Sequence, residues 1–255
     1  MRRIQLDDRA PFLNRWHDLL LQVLTPAAVA ADPRRGELRD LVLRWGGRAA
    51  VGSAGYRIVR TFRRLVTRDV FAPLTAPVRA ADPEWSYEEN VNQHEGPLWQ
   101  LVSRRPLHLL DPKYRSWDEQ LLAAADEAIA LFARLGPRLA DRTWGERNTT
   151  AIEHPLSEAL PLFGSHLSMP PRQLPGDDDL PRVQAPDYGA TLRMVVSPGR
   201  EAEGIFQMPG GESGNPISAH YDDLYAGWAE GAASPLLPGK PVAILTLVPA
   251  PGPRS

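Results

Sequence analysis

Nineteen residues near the C-terminal end, GGESGNPISAHYDDLYAGW (Gly210 to Trp228), hold the densest set of catalytic residue types in the chain. Ser213, His220, Asp222 and Asp223 fall within eleven residues. A hydroxyl, an imidazole and a carboxylate are the parts of a nucleophile–base–orienter relay. The spacing argues against one here. A nucleophile elbow needs Gly-x-Ser-x-Gly, whereas this segment reads Gly211-Glu212-Ser213-Gly214-Asn215, and Pro216 separates the serine from the histidine. Gly210, Gly211, Gly214 and Pro216 instead make a turn-forming set. SAHYDDLYAGW then reads as a helix capped by Ser218, with Asp222 and Asp223 in its first turns. Tyr221, Leu224, Tyr225 and Trp228 form its apolar side and Gly231 its stop.

Other candidate chemistry is thinner. The six histidines (His17, His94, His108, His154, His166, His220) include no pair at a metal-ligand spacing. GDDD (Gly176 to Asp179) lacks the alternating ligands, central glycine and distant glutamate of a calcium loop, and reads as a solvated turn. GERNTT and GGESGN lack the lysine–hydroxyl ending of a phosphate loop. With no cysteine, disulfides, thiolate zinc sites and thiol nucleophiles are excluded.

The elements that must position these residues change character along the chain. Residues 1–136 read as helices. Leu13, Trp16, Leu20 and Val23 recur at helical spacing with Asp7 and Asp8 at the N-terminal end, and Leu38, Leu41 and Trp45 repeat the pattern. From Ser53 a longer helix buries Ile58, Phe62 and Leu65 and carries a basic stripe of Arg57, Arg60, Arg64 and Arg68. SYEENVNQHEGPLWQLV and SWDEQLLAAADEAIALFARLG follow, each with a serine cap, the second stopped by Gly136-Pro137. Residues 137–255 hold 17 of the 26 prolines and read as short strands and long loops. TWGERNTTAIEH is expected as a strand or hairpin arm, and the proline-rich stretch from His154 to Val183 as a surface loop. ATLRMVV, GIFQM and PVAILTLV are strand candidates, the last apolar enough to be covered on both faces.

At 255 residues with 43% apolar and 24% charged, the chain suits a soluble globular protein. No run approaches a membrane span, and MRRIQLDDRAPF lacks the apolar region of an export signal. The net charge of -2 conceals an asymmetry: residues 1–80 hold 15 arginines against 7 acids, and the remainder 14 Lys+Arg against 24 acids. Few aromatics accompany the arginines, which weighs against nucleic acid and favours two parts of opposite charge facing each other.

The C-terminal segment resembles the signature of the penicillin acylase family, P-x-G-x-S-G-x-P-x-S-x-H-Y-x-D, followed by a tryptophan, a glycine and Pro-Leu. Pro209, Gly211, Ser213, Gly214, Pro216, Ser218, His220, Tyr221, Asp223, Trp228, Gly231, Pro235 and Leu236 fall in register. TWGE (Trp144, Gly145), HPL (His154, Pro155), LPGDDD (Gly176) and GATLRMVV (Arg193) agree in order upstream, so the likeness covers nearly the whole chain. It implies an α+β chain belonging to the four-layer αββα fold of N-terminal-nucleophile hydrolases. Such enzymes are exported to the periplasm and cut from a precursor into α and β subunits. A β-subunit N-terminal serine then attacks N-acyl compounds such as penicillins, cephalosporins or N-acyl homoserine lactones, with an asparagine in the oxyanion hole.

Gly52-Ser53 and Gly164-Ser165 do not continue as the family's nucleophile strand, and no segment resembles its asparagine pair. The resemblance therefore implies that residues 1–255 are the C-terminal part of the β subunit, one incomplete domain made of a helical segment (1–136) and a strand and loop segment (137–255). Its catalytic residues and calcium ligands would lie upstream, its partners would be the α subunit and the remainder of β, and it would be inert alone. The signature residues are then structural. The alternatives are a non-catalytic binding module using the arginine stripe, and a self-contained hydrolase using Ser213 and His220.

Overall fold

The structure of the chain, a computed structural model, describes residues 1–91, 93–157 and 164–249. It divides into two compact units, residues 3–190 and residues 191–255 with Met1 and Arg2.

Within residues 3–190 the chain is helical because its apolar residues recur at helical spacing behind good caps. Helix α1 (Asn14–Val23) buries Trp16, Leu19, Leu20 and Val23. Helix α2 (Pro26–Ala31) is capped by Thr25, and α3 (Pro33–Leu43) by Asp32, each followed by a proline whose fixed φ suits a first turn. Helix α4 (Ala54–Phe71) starts where Ser53 Oγ accepts from the Tyr56 amide at 3.0 Å. Helix α5 spans Glu95–Arg104 and α6 spans Trp117–Leu135, the latter capped by Ser116 with Asp118 and Glu119 complementing its dipole.

Helix α4 packs between α3 and α6, and α1 lies across them. Trp16 meets Phe62 and Trp99 edge-on, at centroid distances of 6.4 and 5.5 Å. Each such pair contributes about 0.5–1.5 kcal/mol beyond area burial. Close approach of α3 and α4 requires Gly55, where a Cβ would sit 2.5 Å from the Leu41 carbonyl oxygen.

The expected periods hold, but several local readings need correction. Asp7 and Asp8 do not sit at the N-terminus of α1: Asp7 folds back onto Arg9, and Asp8 pairs with Arg48. Pro11–Leu13 make a short 3-10 turn that leads into α1 instead. Pro97 lies in the first turn of α5, and Ser86 makes no side-chain cap. TWGE is not a strand but one helical turn, α7 (Trp144–Arg147), because Thr143 Oγ accepts from the Glu146 amide. Gly164–Leu167 likewise makes a helical turn within the expected loop. Residues 158–163 of that loop lie outside the described residues.

In the unit from Thr191 onward, two of the expected strands form, β1 (Arg193–Val195) and β2 (Ile205–Gln207), and they pair antiparallel with Met194 opposite Phe206. Residues 234–236 flank β2 through the Phe206 amide to the Ser234 carbonyl and the Leu236 amide to the Gly204 carbonyl. Helix α8 (Tyr225–Glu230) begins seven residues later than Ser218, so Asp222 and Asp223 precede it. The glycine stop is as read: Gly231 has φ 69°. PVAILTLV is not a covered strand. Val242, Ile244, Leu245, Leu247 and Val248 are exposed and pair with no other strand among the described residues. The described chain is thus mixed helix with one small antiparallel sheet, an α+β composition.

Candidate functional site

The Ser213 loop is built on backbone contacts. The Ser213 amide donates to the His220 carbonyl at 3.0 Å, and the Leu224 amide closes onto the Gly210 carbonyl at 3.1 Å. Between them, Ser213 Oγ accepts from the Asn215 amide (3.1 Å), the Asn215 side chain accepts from the Ile217 amide (3.1 Å), and Ser218 Oγ accepts from the His220 amide (3.1 Å). Pro216, which has no amide hydrogen, sits inside this run of small turns. Gly211 is obligatory, since a Cβ there would overlap the His220 carbonyl. His220 Nδ1 lies 2.8 Å from Asp223 Oδ2 on an exposed surface. The structure therefore unites the imidazole with its carboxylate but keeps the serine hydroxyl on the backbone of its own turn. No relay from Ser213 to His220 is assembled.

The other signature residues surround two buried charges. In the C-terminal unit, Arg193 is 1% exposed. Its guanidinium lies 5.0 Å from the Trp228 ring centroid and donates to the Trp228 carbonyl at 2.6 Å. Gln207, its partner across β1–β2, donates to the carbonyls of Gly227 and Ala232. Strand and helix thus meet on one arginine. Tyr225 stacks on Trp228 beneath it.

In the helical unit the corresponding charge is Asp177. It is 3% exposed, not part of a solvated turn. Tyr56 donates its hydroxyl to Asp177, Arg60 pairs with the same oxygen, and Asp178 is a second, longer partner at 3.3 Å. Burial, then the Asp177 charge, push the Tyr56 phenol up, so it stays a donor. Burial lowers the Arg60 guanidinium, but Asp177 outweighs it and the net shift is upward. Asp178 is pushed up by burial and by the adjoining Asp177.

Trp144 roofs this hub. Its Nε1 donates to the Gly176 carbonyl at 2.7 Å, its ring packs edge-on to Tyr56 at 4.8 Å, and Arg60 lies 5.1 Å from its centroid. Gly145 has no room for a side chain: a Cβ would meet Val51 Cγ1 at 2.5 Å and Gln173 Oε1 at 2.7 Å. Gly176, at φ 104°, lies against the Arg182 backbone. His154 Nδ1 accepts from the Leu156 amide, so His154-Pro155 makes a turn. Tyr221 lies in the turns before α8.

Of the basic stripe of α4, three arginines, Arg57, Arg60 and Arg68, are held in ion pairs and Arg64 is not. Arg57 pairs with Glu146, Arg63 with Glu95, and Arg68 with Asp69 and Glu127. Within residues 3–190, these arginines of the basic first part meet acids from residue 95 onward. Glu95 also accepts from Trp16 Nε1 at 2.7 Å and from Arg15. Burial raises the Glu95 carboxyl, but Trp16 and the two arginines prevail and hold it below the usual carboxylate range. Asp177 is spent on Tyr56 and Arg60, and among the described residues no three imidazole or carboxylate side chains converge to hold a cation. None of the described helices is long and apolar enough to cross a membrane.

Sequence reasoning missed Tyr56, Arg60 and Asp177 as one unit. The available signals were the charge asymmetry and the position of Asp177 directly after Gly176.

The penicillin amidase family model matches residues 1–240, a span that includes both the Asp177 hub and the Arg193–Trp228 clamp. Penicillin acylase 2 proenzyme of Pseudomonas sp. (strain SE83) is 31% identical over 214 residues, which covers 79% of this chain and 26% of that relative. The chain thus spans about a quarter of that relative's length. What its buried charges hold together is the framework of a penicillin amidase, and the chain belongs to that family.

Proposed function

We propose that residues 1–255 are the C-terminal part of the β subunit of an amidohydrolase that cleaves the amide bond of N-acyl compounds, such as β-lactam antibiotics or N-acyl homoserine lactones. Its nucleophile would be supplied from outside this stretch. The single observation that carries the reading is the engagement of Ser213 Oγ by the Asn215 amide while His220 faces Asp223. This chain's one grouping of serine, histidine and aspartate within a few residues is spent on a turn, in a chain whose family hydrolyses amides.

In this reading the complete enzyme is a periplasmic N-terminal-nucleophile hydrolase with an αββα core, processed from a precursor. The α subunit and the rest of β complete the fold around the Asp177 hub and the Arg193 clamp. Such a serine uses its own α-amino group as base, through a water, and backbone and asparagine donors stabilise the tetrahedral oxyanion. The residues of this chain orient and support; none takes a proton in the reaction. No step runs through calcium, for which the described side chains form no ligand set.

The test is an assay of the purified chain with N-phenylacetyl and N-octanoyl amides, reading released amine. No turnover is expected. Hydrolysis that disappears in Ser213→Ala would overturn the reading and put the reactive serine in this loop.

A further inference from the structure

Helix α4 carries five arginines, and four of them end on carboxylates of this chain: Arg57 on Glu146, Arg60 on Asp177, Arg63 on Glu95, and Arg68 on Glu127. Arg64 makes no ion pair or hydrogen bond among the described residues, and neither does Arg147 on α7. Both line one cavity of about 750 Å³, within the range of small-ligand sites. The cavity has an apolar floor, with Leu13 and Leu180 buried and Phe12 41% exposed. The Arg63 guanidinium lies 4.9 Å from the Phe12 ring centroid and is fixed by Glu95.

Two guanidiniums without an ion-pair or hydrogen-bond partner among the described residues, in a cavity also lined by apolar carbon, call for an oxyanion with a hydrophobic attachment, because planar N–H donors match carboxylate geometry. Asp178 and Asp179 line the same cavity and limit how much negative charge can enter. Burial and Asp177 disfavour Asp178 as an anion, while Arg60 and Arg147 act in the other direction. Beside those two carboxylates a dianion is repelled more strongly than a single carboxylate. We propose that this cavity receives a monocarboxylate carried on an apolar body, its oxygens on Arg64 and Arg147 and its body on Phe12 and Leu180.

The same chemistry has two sources: a small free carboxylic acid, or a glutamate side chain set among apolar residues of a polypeptide. The proposal stands or falls independently of the acylase reading, since it concerns residues of this chain alone.

The experiment titrates the isotopically labelled chain and follows the arginine Nε–Hε resonances. Sodium hexanoate should give saturable millimolar shifts at Arg64 and Arg147, while inorganic phosphate and 1-hexanol should not saturate. The blocked peptide acetyl-Leu-Glu-Leu-amide supplies the second arm: tighter binding than hexanoate assigns the site to a polypeptide carboxylate, weaker binding to a free acid. Arg64→Gln with Arg147→Gln, both exposed positions, should raise Kd by about tenfold or more. The proposal is overturned if hexanoate moves neither arginine, if the double variant binds as well as the parent, or if phosphate binds as tightly as hexanoate.

Discussion

In the helical unit a buried carboxylate, Asp177, is held by two side chains of one helix; in the C-terminal unit a buried guanidinium, Arg193, is held by a backbone carbonyl and an indole face. The first is an ion pair whose two charges depend on each other. The second is a charge that rests on a carbonyl dipole and a π surface of one tryptophan. Both anchor a segment distant in sequence, but removing a partner has different consequences. Loss of Asp177 leaves Arg60 without its main counter-charge, and loss of Arg193 leaves the Trp228 carbonyl without its donor.

That contrast sets the largest expected effect. Asp177→Ala should cost about 3–5 kcal/mol, the range for breaking a buried pair from one side. Arg193→Met leaves the buried Trp228 carbonyl without its donor and should cost at least about 1 kcal/mol. Urea unfolding of each variant compares them, and a smaller loss for Asp177→Ala than for Arg193→Met would reverse the expected order. Next in size is Gly211→Ala. Its new Cβ overlaps the His220 carbonyl, so the 210–224 turns must open. Hydrogen exchange should show faster exchange at the Ser213 and Leu224 amides and no change along α4; acceleration in both places would mean the two units unfold as one.

The smallest effect is in the pH dependence of the helical unit. Glu95 is held below the usual carboxylate range in the folded chain. Its stabilisation is therefore fully present above the unfolded value of about 4.3 and is lost as pH falls through the folded one. Glu95→Gln should be less stable than the parent at pH 7, with the difference shrinking as the pH falls below about 4. Urea midpoints at pH 7, 4 and 3 test this; a constant difference would assign Glu95 a packing role alone.

The sequence made the helical faces legible because they are local. Leu13, Trp16, Leu20 and Val23 repeat at the helical period, and Ser53 and Ser116 cap the helices that follow them. Motif register disclosed the family before any contact was known. What stayed hidden depends on partners far along the chain. Asp177 looked solvated because its partner Arg60 lies 117 residues earlier. TWGE looked like a strand because the contacts that fix Trp144, to Tyr56 and the Gly176 carbonyl, are not local either. PVAILTLV has the composition of a buried strand, but a strand also needs a neighbouring one, which no local pattern reports.

The pairing of α4 has a consequence for the order in which the protein comes together during synthesis. Its arginines find their carboxylates at Glu95, Glu127, Glu146 and Asp177, residues 32, 59, 89 and 117 positions downstream of their partners. Helix α4 leaves the ribosome with most of its arginines unpaired, and four of them meet these carboxylates one segment at a time, Arg60 last. At about 5–20 residues per second, that final charge waits for the order of ten seconds. Through that interval the nascent chain presents polycation rather than finished core, and its folding is gated by translation of the Gly176–Asp177 turn.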